Sequence, residues 1–306
     1  MKSYIFSSLF TIIYFCSFSQ TDTNQDYIQV LGIIQDAGLP HIGCEKDCCL
    51  VTNDEEYFVS SIGLVDKKNS RRYLFDATPD MSSQLRLLEY FPKNNNIVDG
   101  VFLTHAHIGH YTGLMYFGRE GIGASDVKVY ANERMSEFLE DNGPWDQLVR
   151  LKNISIEKLY KQDTLSLSQN LKVIPVLVPH RDEYSETVGY KILGKIKSLL
   201  FIPDIDKWSE WEKDIASEVK MVDFALIDGT FYNGEEIDRD MDEIPHPSVE
   251  ETIDLFSMQP LEERKKIYFI HLNHTNPLLN KKDSIKKDIE NMGFNVAEKG
   301  LKFFLD

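Results

Sequence analysis

Cysteine is scarce in this chain of 306 residues, and the four present are not spread along it. Cys16 stands alone, while Cys44, Cys48 and Cys49 crowd into GCEKDCC. A disulfide framework needs paired cysteines distributed through the sequence and is excluded. Glycine and proline are sparse too, at 17 and 11 residues, which excludes collagenous and low-complexity architectures. Positive charge is in deficit: 33 Lys and Arg against 49 Asp and Glu give a net charge of -16. The basic runs at 191–197, 264–266 and 281–287 are short and neighboured by acids. They lack the electrostatic footprint of a nucleic-acid binder, so the expected partner is a small-molecule substrate. No fixed period marks a solenoid. Long apolar runs are absent as well, except at the N-terminus.

That exception, SYIFSSLFTIIYFCSFSQ, follows Met1-Lys2 and precedes the polar TDTNQD. Its charge, apolar length and polar exit fit a secretory signal peptide over residues 1–20, too short and wrongly flanked for a stable span. The expected protein is exported, periplasmic or secreted, with no transmembrane span after signal removal. Lipid attachment through Cys16 competes with cleavage, although Phe15 suits a small-residue cleavage site poorly. A buried first strand or helix is the remaining alternative. No linker interrupts the rest of the chain, so one domain is expected over 26–306.

Apolar alternation predicts strands over 26–34, 57–65, 72–77, 98–105, 127–132 and 171–180 in the first part of the chain. Further strands are predicted over 186–193, 197–204, 223–232 and 266–274, with a strand pair turning at 298–300. Helical spacing predicts helices over 80–91, started by Asp80 or Ser82, and over 133–141, 207–219 and 278–293. Ser248, three residues before Glu251, forms a capping box ahead of TIDLF. Strand-rich runs in both halves, interleaved with helices, predict two sheets packed face to face with helices outside.

Three of the eight histidines fall in THAHIGH (104–110), directly after the apolar VFL. On an extended segment His105 and His107 point to one side, and a turn brings His110 to the same space. His180 ends VIPVLVP, and His271 and His274 follow IYFI. Histidines gathered at strand ends read as metal ligands better than as scattered surface rings. Asp76 and Asp228, also at strand ends, are candidates to hold histidine N–H groups, with a turn role as the alternative. His246 falls in a Pro-flanked loop and reads as a lid or surface histidine. Trp208 and Trp211 read as core. With His41, the cysteines Cys44, Cys48 and Cys49 can close a tetrahedral structural zinc site. The alternative is a 44–48 or 44–49 disulfide plus a free thiol.

Five ordered motifs resemble the metallo-β-lactamase superfamily and, within it, the pyrroloquinoline-quinone biosynthesis protein B group. They are QDAGLPHIGC (35–44), THAHIGHYTGL (104–114), VPHRDEYSETVGY (178–190), FIPDIDKW (201–208) and HLNHTNPLL (271–279). The resemblance implies an α/β fold, a four-layer αββα sandwich. It implies one metal on His105, His107 and His180, and a second on His110, a bridging Asp204 and a C-terminal histidine, His274 being preferred over His271. The signature aspartate is here Gly109, which donates no ligand and leaves one or two metals open. Relatives also carry a structural zinc in the cysteine loop. The implied cofactor is therefore Zn²⁺, one or two catalytic ions and one further structural ion, with iron as the alternative. Three neutral imidazoles leave a metal most of its charge, so its bound water ionises near neutrality. Asp204 is then the candidate base, and whichever of His271 and His274 is unligated is the candidate proton donor. The implied function is a metal-dependent hydrolase of an ester, phosphodiester, lactone or lactam. The alternatives are an oxygenase like the quinone-biosynthesis protein, using iron, and a non-catalytic metal-binding accessory protein.

Overall fold

Alternation along the strands decides where the apolar layers lie. The computed structural model describes residues 24–50, 56–92, 96–160, 163–280 and 284–306; the expected signal peptide and Cys16 lie outside them. Strands β1 (Tyr27–Gly32), β2 (Ser61–Asp66), β3 (Arg71–Phe75), β4 (Gly100–Phe102), β5 (Val127–Ala131) and β6 (Ile154–Lys158) come first. They are followed by β7 (Leu165–Ser166), β8 (Lys172–Val178), β9 (Thr187–Leu193), β10 (Ser198–Ile202) and β11 (Phe224–Asp228). The last three are β12 (Ile267–Ile270), β13 (Asn295–Val296) and β14 (Lys302–Phe304). In β1, Ile28 and Val30 enter one apolar cluster while Tyr27 and Leu31 enter another. β3 to β5 divide the same way: Tyr73, Phe75, Phe102 and Tyr130 to one side, Leu74, Val101 and Val129 to the other.

Two seven-stranded sheets result, ordered β14-β1-β2-β3-β4-β5-β6 and β13-β12-β11-β10-β9-β8-β7. In each, one half is parallel (β3 to β6; β10 to β13) and the other antiparallel. Helices at 81–87, 133–141 and 145–150 bury Met81, Leu85, Met135, Leu139 and Leu148 against the outer face of the first sheet. On the second sheet, Ile215, Val219, Val249, Phe256 and Ile289 do the same from the helices at 215–220, 249–256 and 284–291. The architecture is the expected four-layer αββα sandwich. Between the sheets, Phe102 stacks on Phe75 and Tyr130 with ring centroids 4.7 and 4.4 Å apart, and Tyr190 of β9 meets Phe75 and Phe102 edge-on. The Tyr190 hydroxyl donates to the carbonyl of Leu103, tying the second sheet to the residues just before His105.

Several local expectations change: in place of one helix over 278–293, the described residues form a 3₁₀ turn (Pro277–Leu279) and a helix (Ser284–Asn291). The 207–219 segment is a short 3₁₀ turn (Trp208–Glu210) and a separate helix (Ile215–Lys220), because both tryptophans turn inward: Trp208 donates to Thr252 and Trp211 to the Leu177 carbonyl. Asp80 does not cap its helix; its carboxylate accepts from the Val59 N–H instead. The C-terminal strands are not a pair, since β13 extends the second sheet and β14 the first. The capping box of Ser248 and Glu251 is formed as expected. Among the described residues, no helix is long and apolar enough to cross a membrane.

Candidate metal centre

Antiparallel neighbours on either side of β2 and β9 leave β1, β3, β4 and β5 running one way in the first sheet and β8, β10, β11 and β12 in one common direction in the second. The residues beyond their carboxyl ends converge in one place, as open α/β sheets arrange their ligands. Past β3, Asp76 is held at φ 69°, and past β12, His271 at φ 65°, a left-handed conformation that side-chain-bearing residues rarely adopt. Asp76 accepts from the Thr104 N–H at 2.8 Å and its hydroxyl at 3.0 Å, fixing the segment that carries His105.

Each buried histidine is held from behind and faces inward. His105 Nδ1 lies 2.9 Å from the Thr104 hydroxyl and its Nε2 3.3 Å from Asp204 Oδ2. His180 Nδ1 lies 2.9 Å from Asp206, and its Nε2 3.2 Å from Asp204 Oδ1. With His107, whose Nδ1 is 2.8 Å from His105 Nε2, these form a first donor group: His105, His107, His180 and Asp204, all donor atoms within 4.8 Å of one another. A second group is Asp36, His110 and His271. His110 Nδ1 sits 2.8 Å from Asp76 and its Nε2 3.0 Å from Asp36 Oδ1. His271 Nδ1 meets the Thr230 hydroxyl, which donates to Asp228, and its Nε2 is 3.4 Å from Asp36 Oδ1. Asp204 Oδ2 lies 3.8 Å from both His110 Nε2 and His271 Nε2, so this carboxylate reaches both groups. Carboxylates and hydroxyls behind ligating imidazoles fix their orientation and raise their basicity.

The donors fit a cation. His110 Nε2, His180 Nε2 and Asp204 Oδ1 are buried and form no aligned hydrogen bond, although His110 Nε2 stands 3.0 Å from Asp36 and His180 Nε2 3.2 Å from Asp204: they oppose one another at ion-pair distance, where buried polar atoms are nearly always paired. Burial resists ionisation of Asp204, yet His180, His271 and His246 hold its carboxyl well below the usual carboxylate range. Asp36 is held low against burial in the same way, by His110 and His271. Burial pushes the His105 imidazole well below its ordinary value, with His110 adding to the effect, and lowers His107 as well. Neutral imidazole and ionised carboxylate are the ligating forms. Burial opposes protonation of His110, but Asp76 and Asp36 raise it well above the ordinary histidine value, so a proton competes with a cation there.

Gly109 donates nothing, as expected, but the second group is not short of a carboxylate. A Cβ built on Gly109 would lie 2.4 Å from Asp36 Oδ1 and 2.8 Å from Asp36 Cα. In the sequence Asp36 is legible only as part of a turn after the first strand, with nothing to mark it as a ligand. His246 also corrects the sequence reading. It is buried, with Nδ1 2.9 Å from Asp228 and 3.2 Å from Asp204, and forms a third donor group with those two. Its only sequence signal is its flanking prolines. Past His180, the Glu183 carboxylate lies 3.1 Å from His107 Nε2, and Glu186 accepts from the first N–H groups of the 133–141 helix.

His274 lies elsewhere. It joins Cys44, Cys48 and Cys49 in a fourth donor group, and His271 takes the place expected for His274. His41 is not the fourth donor of the cysteine loop. Its ring stacks on His274 with centroids 4.2 Å apart, and its Nδ1 sits 2.9 Å from the Ile42 carbonyl. The reason is reach: three residues past the inward turn at His271, the chain has arrived at the cysteine loop. All three cysteines are free thiols, which sets the disulfide alternative aside. The Lys46 backbone N–H, bonded to its sulfur, lowers the Cys44 pKa and favours the thiolate. Cys48→Ser is expected to lose one zinc equivalent by elemental analysis and to unfold at lower temperature, with the histidine groups keeping their metal. Unchanged zinc content would remove the cysteine group as a metal site.

A family model described as beta-lactamase superfamily domain matches residues 71–272. The coenzyme PQQ synthesis protein B of Methylorubrum extorquens (strain PA1) is 24% identical, the match covering 90% of this chain and 98% of that protein. The protein of the same description from Nitrosococcus oceani is 26% identical over 76% of this chain and 83% of its own. Among solved structures, Zn(2+)-bound PqqB from Methylobacterium extorquens superposes with a TM-score of 0.76 at 20% identity, covering 90% of this chain and 99% of that one. A diphosphatase from the PhnP family superposes with a TM-score of 0.63 at 21% identity, over 91% and 96%.

Proposed function

Because this chain belongs to the β-lactamase superfamily, we propose that it is a metal-dependent hydrolase of a small molecule, cutting a phosphodiester in preference to an ester, lactone or lactam. The observation that carries this reading is Asp204, which turns Oδ1 towards His180 and Oδ2 towards His105, His110 and His271. One carboxylate shared between two donor groups is suited to a pair of ions. Such ions would supply a Lewis acid for the substrate oxygen and ionise a water near neutral pH.

The chain's own residues do the rest. His105, His107, His180 and Asp204 would hold one ion, and Asp36, His110, His271 and Asp204 the other. Asp206, Asp76, Thr104 and Thr230 keep the imidazoles turned inward through the contacts at Nδ1. His246 belongs to neither histidine group. Burial lowers its affinity for a proton, but Asp228 and Asp204 raise it above the ordinary value. It is the residue assigned to protonate the leaving oxygen. That role replaces the one expected of a C-terminal histidine.

A second reading has the firmer support from the curated relatives. The curated relatives are coenzyme PQQ synthesis proteins B, and the match runs along nine-tenths of the chain. That likeness supports a step in cofactor synthesis; the solved relative is zinc-bound, and an oxidative form of the step would instead put iron on His105, His107, His180 and Asp204. The apolar N-terminal stretch supports export and weighs against an intracellular synthetic role. The two readings separate in one experiment. Chelator-stripped protein is reloaded with zinc or with ferrous iron, and elemental content, oxygen uptake and turnover of bis(p-nitrophenyl) phosphate, a p-nitrophenyl ester, a lactone and a lactam are measured. Zinc-dependent phosphodiester turnover is the expected result. Oxygen uptake by the iron form, with no hydrolysis by the zinc form, would replace it with the oxidative reading.

A further inference from the structure

We propose that Asp36 is a ligand of the second metal, and that Gly109 is glycine because Asp36 occupies the space its side chain would need. The proposal rests on the metal-dependent reading above and specifies one of its ligands. Position 109 lies in the helical turn Ile108–Tyr111 that delivers His110, and a side chain there would start against Asp36, whose carboxylate faces His110 and His271. In this chain that space holds the Asp36 carboxylate, with Oδ1 2.4 Å and Cγ 2.7 Å from where a Cβ on Gly109 would stand. Those separations are far inside van der Waals contact, so carboxylates at both positions cannot coexist without moving backbone. Asp36 Oδ1 lies 3.0 Å from His110 Nε2 and 3.4 Å from His271 Nε2, on the inward side of both rings.

The backbone makes that placement a fixed feature. The Gln35 N–H donates to the Leu272 carbonyl at 2.9 Å, and the Leu272 N–H donates to the Ile33 carbonyl at 2.7 Å. These two bonds lash the residues before Asp36 to the residue after His271, so the two ligands are carried by one joined segment. The Gly113 N–H donates to Ala77 and the Ala77 N–H to His110, which anchors the opposite side of the group. The carboxylate is therefore transposed: it comes from the loop after β1 and arrives where the histidine turn leaves room for it. Gly109 is then a partner of Asp36, and its presence is no sign of a decayed site.

The test is substitution at each of the two positions in the full chain. Metal content is read by elemental analysis and zinc calorimetry, and the cobalt-substituted form by its visible absorption. Asp36→Ala is expected to lose the ion of the second group while the first group and the cysteine group stay loaded. Gly109→Asp alone is expected to clash and to lower the unfolding temperature. Removing the Asp36 side chain does not relieve that clash, because a Cβ on Gly109 would still stand 2.8 Å from the Cα of residue 36, so Gly109→Asp is expected to stay destabilised in an Asp36→Gly background. Asp36→Asn, close to isosteric, guards against loss of fold and should also lose the ion. Undiminished metal content in both Asp36→Ala and Asp36→Asn would overturn the proposal, and so would a Gly109→Asp chain as stable as the unsubstituted one. Full metal content without turnover on any substrate would count against the hydrolase reading and leave the Asp36 assignment standing.

Discussion

Asp204→Ala is expected to empty both histidine groups together and to lower turnover by at least the order of 10²–10³-fold that loss of one strong electrostatic element costs. Asp204 touches both groups: it lies 3.2 Å from His180 and 3.3 Å from His105 on one side, and 3.8 Å from His110 and His271 on the other. Removing it deletes a ligand from each group and also strips five buried rings, His246 among them, of their common anion. Truncations of the histidines should be one-sided. His107→Ala should lower the occupancy of the first group, and His110→Ala that of the second. Elemental analysis of the variants, with turnover on the preferred phosphodiester, checks this. Asp204→Ala that keeps two ions in the histidine groups would show that the carboxylate is not shared. Metal loss in His105→Ala with none in His110→Ala would reduce the centre to a single ion.

How much of this centre is legible in the sequence depends on how each ligand is delivered. His105, His107 and His180 are legible because they sit at the ends of apolar strands, where alternation fixes which way a side chain points. His110 is legible because a tight turn comes directly after. Asp36 is not, since its role depends on the room left by Gly109, which only the docking of the loop after β1 against the histidine turn reveals. The choice between His271 and His274 turns on one left-handed residue, and periodicity carries no information about φ. His41 looks like a zinc ligand by spacing, but the fourth donor comes from the far end of the chain. His246 sits in a loop without strand or helix register, so nothing local marks it as buried. The sandwich itself is legible because both halves repeat the strand pattern. The final strands mislead because adjacency in sequence suggests pairing, and here the chain crosses from one sheet to the other.

Phe102→Ala is the substitution away from the ligands with the largest expected effect, about 3–5 kcal/mol of stability. Phe102 is fully buried, stacks on Phe75 and Tyr130, and receives the edge of Tyr190 from the opposite sheet. Truncation opens a cavity at the seam between the sheets, with rings on three sides that cannot collapse together without moving their strands. At roughly 2–4 °C per kcal/mol for a chain of this size, the unfolding midpoint should fall by on the order of 10 °C. The cavity also lies two residues before Thr104, the hydroxyl that positions His105. Weaker zinc binding should therefore accompany the loss of stability. Ile196→Ser, at a residue 70% exposed, is the matched control and should shift stability by no more than about 0.5 kcal/mol. A Phe102→Ala midpoint equal to that of the control would mean the sheets are held together elsewhere.

Among the described residues, three of the four donor groups take members from both halves of the sandwich. His105 and His107 come from the first sheet to meet His180 and Asp204 from the second; Asp36 and His110 meet His271; and the three cysteines after β1 meet His274 after β12. An ion in any of these groups is a rivet through the two sheets, and its binding energy is also adhesion energy between them. By mass action each occupied group adds about 2.7 kcal/mol against separation when free metal stands at one hundred times its dissociation constant. With these groups occupied, the supply of metal around the protein would set how firmly its halves are fastened.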